Sequence, residues 1–106
     1  MNRVSKRRLI VRPQAQTDIF DITDRIAADS LEAAHRLDMA FAERLNDLCA
    51  TGAALRVRLE FGSDIRIAKF KSWLIFFRAT PQSIIVFRVL HGAMHPKRIR
   101  AAAKSD

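Results

Sequence analysis

The densest apolar run in the chain is Ile84 to Leu90, interrupted only by Arg88. So much burial in so short a stretch predicts a strand covered on both faces. Simple alternation places Ile85, Phe87 and Val89 on one face, and Ile84, Val86, Arg88 and Leu90 on the other. A guanidinium on such a face needs an anion or several acceptors, because leaving it unpaired is costly. The strand is expected to end at His91-Gly92. Upstream, Arg8 to Arg12 reads as a short strand with Leu9 and Val11 on one side and Ile10 on the other. Pro13 stops it and opens a helix, where its missing N–H is harmless. Ala15, Ile19, Ile22 and Ile26 then recur at helical spacing, and Asp18 and Asp21 lie near the start, where the helix dipole favours carboxylates. Asp29 to Glu32 has the spacing of a capping box. A second helix follows towards Ala50, with Ala34, Leu37, Phe41, Leu45 and Leu48 as its stripe and Gly52 as its terminator.

After Gly52 the period changes. Leu55, Val57, Leu59 and Phe61 alternate with Arg56, Arg58 and Glu60, which predicts an extended connection, and Gly62-Ser63-Asp64 reads as a turn. Ile65–Phe70, Trp73–Ala79 and Ile84–Leu90 are three strands joined by Lys71-Ser72 and Thr80-Pro81-Gln82, short enough to force an antiparallel meander. The order is β-α-α-β-β-β, an α+β fold with a helical hairpin packed on a small sheet. A single domain over 1–106 is expected, with a core of about 8–95 and a basic tail over 96–106 that is either a short helix or disordered.

Charge adds a functional constraint. The net charge is +8, but the segment from Asp18 to Asp47 holds eight acids against Arg25, Arg36 and Arg44, a balance of −5. The totals of 19 Lys plus Arg and 11 Asp plus Glu leave sixteen cations and three acids elsewhere, a balance of +13. This asymmetry points to an acidic partner, a polyanion or an acidic polypeptide, as against a basic surface that merely aids solubility. One cysteine, Cys49, forms no internal disulfide and fits a reducing compartment; its place beside the apolar stripe marks it as a small buried hydrophobe. No apolar run approaches the ~20 residues of a membrane span, and the basic N-terminus (Arg3, Lys6, Arg7, Arg8) lacks the apolar core of a signal peptide, so a cytoplasmic location is expected.

Together, the Pro13/Ala15/Asp18/Ile19 helix entry, the strand Ser72-Trp73-Leu74-Ile75-Phe76-Phe77-Arg78 and the ending Arg88-Val89-Leu90-His91-Gly92-Ala93 resemble the RelE/ParE superfamily of bacterial toxins over about residues 8–95. The ParE branch is the closer match. Two positions depart from its pattern: Met94-His95 stands where members usually carry Arg-Asp, and Trp73, Phe76 and Phe77 replace tyrosines common on that strand. The resemblance implies the toxin of a type II toxin–antitoxin system that binds and inhibits DNA gyrase and is neutralised by an acidic ParD-like antitoxin in a hetero-oligomer. Expected target-binding residues are Arg88, His91, Gly92, Met94, His95, Lys97 and Arg98; expected antitoxin-binding residues are Ile19, Ile22, Trp73, Phe76 and Phe77.

The alternative is a RelE-like ribosome-dependent mRNA endonuclease. It would draw its base, acid and phosphorane-stabilising cations from Arg66, Lys69, Lys71, Arg78, Arg88 and His91. The chain has no tyrosine to fill the position such enzymes often give one, which leaves His91 or His95. His91 otherwise hydrogen-bonds a turn backbone, and Arg88 otherwise pairs with Glu60 or Asp64. A metal bound by His91 and His95 is not expected, because Gly92 and Pro96 break a helix between them and no third ligand is apparent. No nucleotide-binding motif, phosphate loop or cofactor signature is present, which favours a binding poison over an enzyme.

Overall fold

The computed structural model describes residues 6–104; Arg3 and the last two residues of the tail lie outside them. The elements are β1 (Arg8–Val11), α1 (Pro13–Ala27), α2 (Leu31–Thr51), 3-10 turns at Gly52–Ala54 and Leu59–Phe61, β2 (Arg66–Phe70), β3 (Trp73–Ala79), β4 (Ser83–His91) and α3 (Pro96–Lys104). The α+β order expected from the apolar pattern holds, with a third helix added. Two tight hairpins place β2, β3 and β4 as antiparallel neighbours, and the long α1–α2 crossover lays β1 parallel to β4. The sheet order is therefore β1-β4-β3-β2. Between two neighbours, with helices on both sides, β4 is the interior strand its composition predicts.

Its facing differs from simple alternation. Phe77 pairs with Val86 and Phe76 with Arg88, so Phe87 is an extra residue, a β-bulge. The bulge shifts every later side chain by one. Ile84, Val86 and Val89 thus share a core with Ile75 and Phe77 beneath α1 and α2, which contribute Ala15, Leu37, Phe41, Leu45, Leu48 and Cys49. On the opposite face Phe87 and Leu90 join Phe61, Ile65 and Phe76, covered by Ile99 and Ala103 of α3. The segment from Pro96 is thus a helix docked on a second core, with Ile99 and Ala103 buried, and is packed like the rest of the domain.

Two local expectations are corrected, and a third, Gly52 as the end of α2, holds for a different reason. The α2 cap is Ser30, whose Oγ accepts the Ala33 N–H at 3.0 Å. The N–H groups of Asp29 and Ser30 both bond Ile26 O at the end of α1, and it is Ser30 that has the extended backbone of an N-cap. Gly52 ends α2 with an ordinary right-handed φ of −62°. What requires glycine there is space, since a Cβ would stand 3.1 Å from Phe77 Cε2. The expected extended connection over 55–61 is extended only in part: Leu59–Phe61 form a 3-10 turn, one bridge joins Val57 to Arg66, and only Phe61 is buried while Leu59 is 76% exposed. The alternating pattern fails because just one of its apolar residues finds a core to enter.

Candidate functional site

Pro13 ends β1 after Val11, so the β4 edge beyond Val86 has no strand beside it. Helix α1 crosses that edge, and Asp18 supplies what a strand would have supplied. Its Oδ2 accepts the Val89 N–H at 2.8 Å and Arg88 Nε at 2.8 Å, while Oδ1 accepts Arg88 Nη2 at 3.1 Å. Arg88 Nη1 donates to Ala102 O of α3 at 3.2 Å. The two side chains are only 15% and 11% exposed. Arg88 is therefore the tie between α1, β4 and α3, paired with Asp18 rather than with Glu60 or Asp64. Its guanidinium, expected to bind the target, is engaged within the fold by Asp18 and Ala102 O. Asp18 was readable as a dipole-favoured acid, and its real signal was different. It sits on the flank of the Ala15–Ile22 stripe, the one carboxylate placed to meet the one charge on the apolar strand.

Below this tie a groove of about 300 Å³ opens between α1 and the end of β4, lined by Asp18, Asp21, Ile22, Arg25, Ile26, Trp73, Val89, Leu90, His91 and Met94. Its walls are apolar, with charged groups of both signs. Two residues expected for the antitoxin (Ile22, Trp73) and two expected for the target (His91, Met94) meet here. Sequence reasoning missed Asp21, Arg25 and Ile26 on the α1 wall; their helical spacing from Asp18 and Ile22 was the available signal. Ile19 packs against the first core. Phe76 and Phe77 are fully buried on opposite faces of the sheet and offer a partner no surface, which corrects that part of the antitoxin set.

The two histidines at the strand end hold backbone. His91 Nδ1 accepts the Ala93 N–H at 3.0 Å, and its ring meets Trp73 edge-on at 6.0 Å. With Nδ1 an acceptor, the neutral ring carries its proton on Nε2. His95 Nδ1 accepts the Lys97 N–H at 3.1 Å, and His95 O accepts from Arg98 and Ile99, so His95 is the N-cap of α3. Lys97 and Arg98 are exposed on the first turn of that helix, and Gly92 holds the preceding turn through its N–H to Ser72 O at 2.8 Å.

Of the groups proposed for nuclease chemistry, Arg66, Arg78 and Arg88 do not converge, whereas Lys69, Lys71 and His91 line one cleft beside the β2–β3 turn. Arg66 pairs with Phe77 and Lys69 with Leu74, which puts them on opposite faces of β2. Arg66 Nε donates to Leu55 O at 2.7 Å. Arg78 lies over the Phe87 ring at 4.7 Å and donates to Ser63 O at 3.4 Å. Arg88 is held by Asp18. Among the described residues no group of three or more His, Cys, Asp or Glu is arranged to hold a metal ion. No described helix is long and apolar enough to cross a membrane. Burial pushes the Cys49 thiol up, against a smaller opposing pull from Lys6. Glu60 is held low by its own backbone N–H and then by Arg58, whose Nη2 is 2.8 Å away.

Comparison with known proteins adds to this geometry. No curated protein sequence matches the chain significantly. A solved chain from the chromosomal ParDE TA system of P. aeruginosa superposes with a TM-score of 0.69 at 17% identity, covering 81% of this chain and 96% of that one, a likeness of fold. The family model for the ParE toxin of the type II toxin–antitoxin system parDE matches residues 9–96, from β1 through the groove-lining end of β4 to the first residue of α3. The chain therefore belongs to the ParE toxin family of type II toxin–antitoxin systems.

Proposed function

We propose that this toxin arrests growth in the cytoplasm by binding DNA gyrase, without chemistry of its own, and that an acidic ParD-like antitoxin neutralises it by filling the groove between α1 and β4. The observation that carries the reading is the family match across residues 9–96. The engagement of Arg66, Arg78 and Arg88 with separate protein partners supports a binding poison, because phosphoryl-transfer chemistry needs its groups around one reacting centre. A partner anchored by apolar side chains against Ile22, Ile26 and Trp73 would at once cover His91 and Met94. Neutralisation is then direct occlusion of a surface the toxin needs. The basic balance outside the hairpin suits an acidic segment that orders as it binds.

The test adds the purified chain to a gyrase supercoiling reaction and, separately, to ribosomes programmed with messenger. Inhibited supercoiling with intact message is the expected result. Site-specific message cleavage with unaffected gyrase would instead establish the RelE-like alternative, and no response in either assay would also overturn gyrase as the target.

A further inference from the structure

Lys71 occupies the β2–β3 turn with a φ of +52°, a left-handed conformation that glycine or asparagine adopts far more readily. A lysine in this place is kept against its backbone preference, and such strain points to work done by the side chain. The surroundings indicate what work. Lys69, Lys71, Ser72, Leu74, His91, Gly92 and Ala93 line an open cleft of about 410 Å³ on one side of the turn. Its two walls, the β2–β3 turn and the strand end after β4, are fastened by Gly92 N–H to Ser72 O at 2.8 Å. They sit so close that a Cβ on Gly92 would come 3.3 Å from that oxygen.

Neither lysine pairs with a carboxylate among the described residues; the Lys71 ammonium lies 5.6 Å from the Phe70 ring. Lys71 also borders a recess on the other side of the turn, lined with it by Glu43, Arg44, Asp47 and Phe70, where Asp47 faces Arg44 at 3.7 Å. Along the chain the positive charge continues into the exposed Lys97 and Arg98. We propose that this cleft docks the phosphate backbone of duplex DNA. Lysines are depleted at protein–protein interfaces and suit phosphates as point charges, which argues against a polypeptide here. Single-stranded nucleic acid is held by exposed aromatic faces on which bases stack. Among the described residues, phenylalanine and tryptophan are absent from the lining of this cleft, whose one ring is the imidazole of His91. The inference goes beyond gyrase as the target and does not require it, since the contact belongs to the toxin itself.

The experiment measures binding of the purified full chain to a fluorescent DNA duplex by anisotropy across a salt series. The comparison is with Lys69→Gln/Lys71→Gln and with a charge-matched control, Arg8→Gln/Arg56→Gln, whose residues are exposed elsewhere. Each phosphate contact contributes about 0.9 to the slope of log K against log salt, so the cleft variant should lose about 2 from the slope and on the order of tenfold in affinity. The control should lose clearly less. A second variant separates binding from folding. Lys71→Asn is expected to raise Tm by about 2–5 °C through relief of the turn while weakening DNA binding. Equal losses in the cleft and control variants would overturn the proposal, as would unchanged binding by Lys71→Asn, tighter binding of single-stranded RNA than of duplex DNA, or displacement of DNA by a polyglutamate peptide at matched charge. The supercoiling assay runs independently: a chain that binds DNA through the cleft yet spares gyrase removes the gyrase reading and leaves this one standing.

Discussion

The residue pair Asp18–Arg88 replaces a strand that is not there. Where β1 stops, the Asp18 carboxylate takes up the Val89 N–H and gathers the guanidinium from the adjacent residue. Removing one partner leaves a charge that is nearly buried and unmatched. Arg88→Met is expected to cost about 2–4 kcal/mol, less than for a fully buried pair because some solvent reaches both groups. Asp18→Asn/Arg88→Met should recover part of that loss, with a coupling of at least about 1 kcal/mol in a double-mutant cycle from urea midpoints. Additive losses would show that the two charges are independently solvated. Cys49 gives a pH prediction. Its Sγ donates to Leu45 O at 3.7 Å inside the first core, and burial raises its pKa above the ordinary 9.0. The folded chain then keeps the thiol proton over a range where the unfolded chain has released it. The native state binds more protons there, so stability is full below the unfolded pKa and declines as pH climbs towards the folded one. Cys49→Ala should flatten that alkaline decline in chemical denaturation, and a thiol reagent should react with the native chain only as fast as it opens.

At the scale of elements, α3 depends on few contacts. His95 caps it, Ile99 and Ala103 anchor it, and Arg88 Nη1 holds Ala102 O. His95→Ala is expected to cost about 0.5–2 kcal/mol as a lost cap, and Ile99→Ala about 2–4 kcal/mol as a cavity in the second core. Hydrogen exchange should show α3 amides losing protection first while β3–β4 amides hold; uniform loss across the sheet would mean that α3 and the meander unfold as one unit. This helix also marks the limit of what the chain's pattern reveals. Both long helices and the meander were legible because their apolar periods run long enough to choose between 3.6 and 2. The bulge at Phe87 was not, since one extra residue leaves no trace in an unbroken apolar run, yet it moves Val89 to one core and Leu90 to the other. Docking of α3 was hidden because a single isoleucine and small alanines carry it. The candidate site was legible at its strand end, His91 and Met94, and on α1 at Ile22. It was not legible at Arg88, whose partner lies 70 residues away.

Across the whole molecule, the charge asymmetry acquires a direction once the groove is placed. The acidic segment folds into α1 and α2, and two of its three cations are turned inward on its own acids: Arg36 lies 3.6 Å from Glu32 and Arg44 lies 3.7 Å from Asp47. Arg25 is the exception. No carboxylate pairs with it among the described residues, it is exposed, and it lines the groove beside Asp21. An acidic antitoxin segment approaching the otherwise negative face of the hairpin would find its matching charge at Arg25, with Ile22, Ile26 and Trp73 below to anchor apolar side chains. Arg25→Glu replaces that attraction with repulsion at a solvent-facing position where the fold has little at stake. Affinity for the antitoxin is expected to fall about tenfold, about 1.4 kcal/mol, with the difference shrinking as salt is raised from 0.05 to about 0.5 M because the Debye length contracts. Gyrase inhibition by the free variant should stay at the parental level, since the occluded surface at His91 and Met94 is untouched. Titration calorimetry gives the first quantity and the supercoiling reaction the second. Parental antitoxin affinity in Arg25→Glu would move the antitoxin off this groove, whereas loss of inhibition together with affinity would mean that target and antitoxin read the same residue.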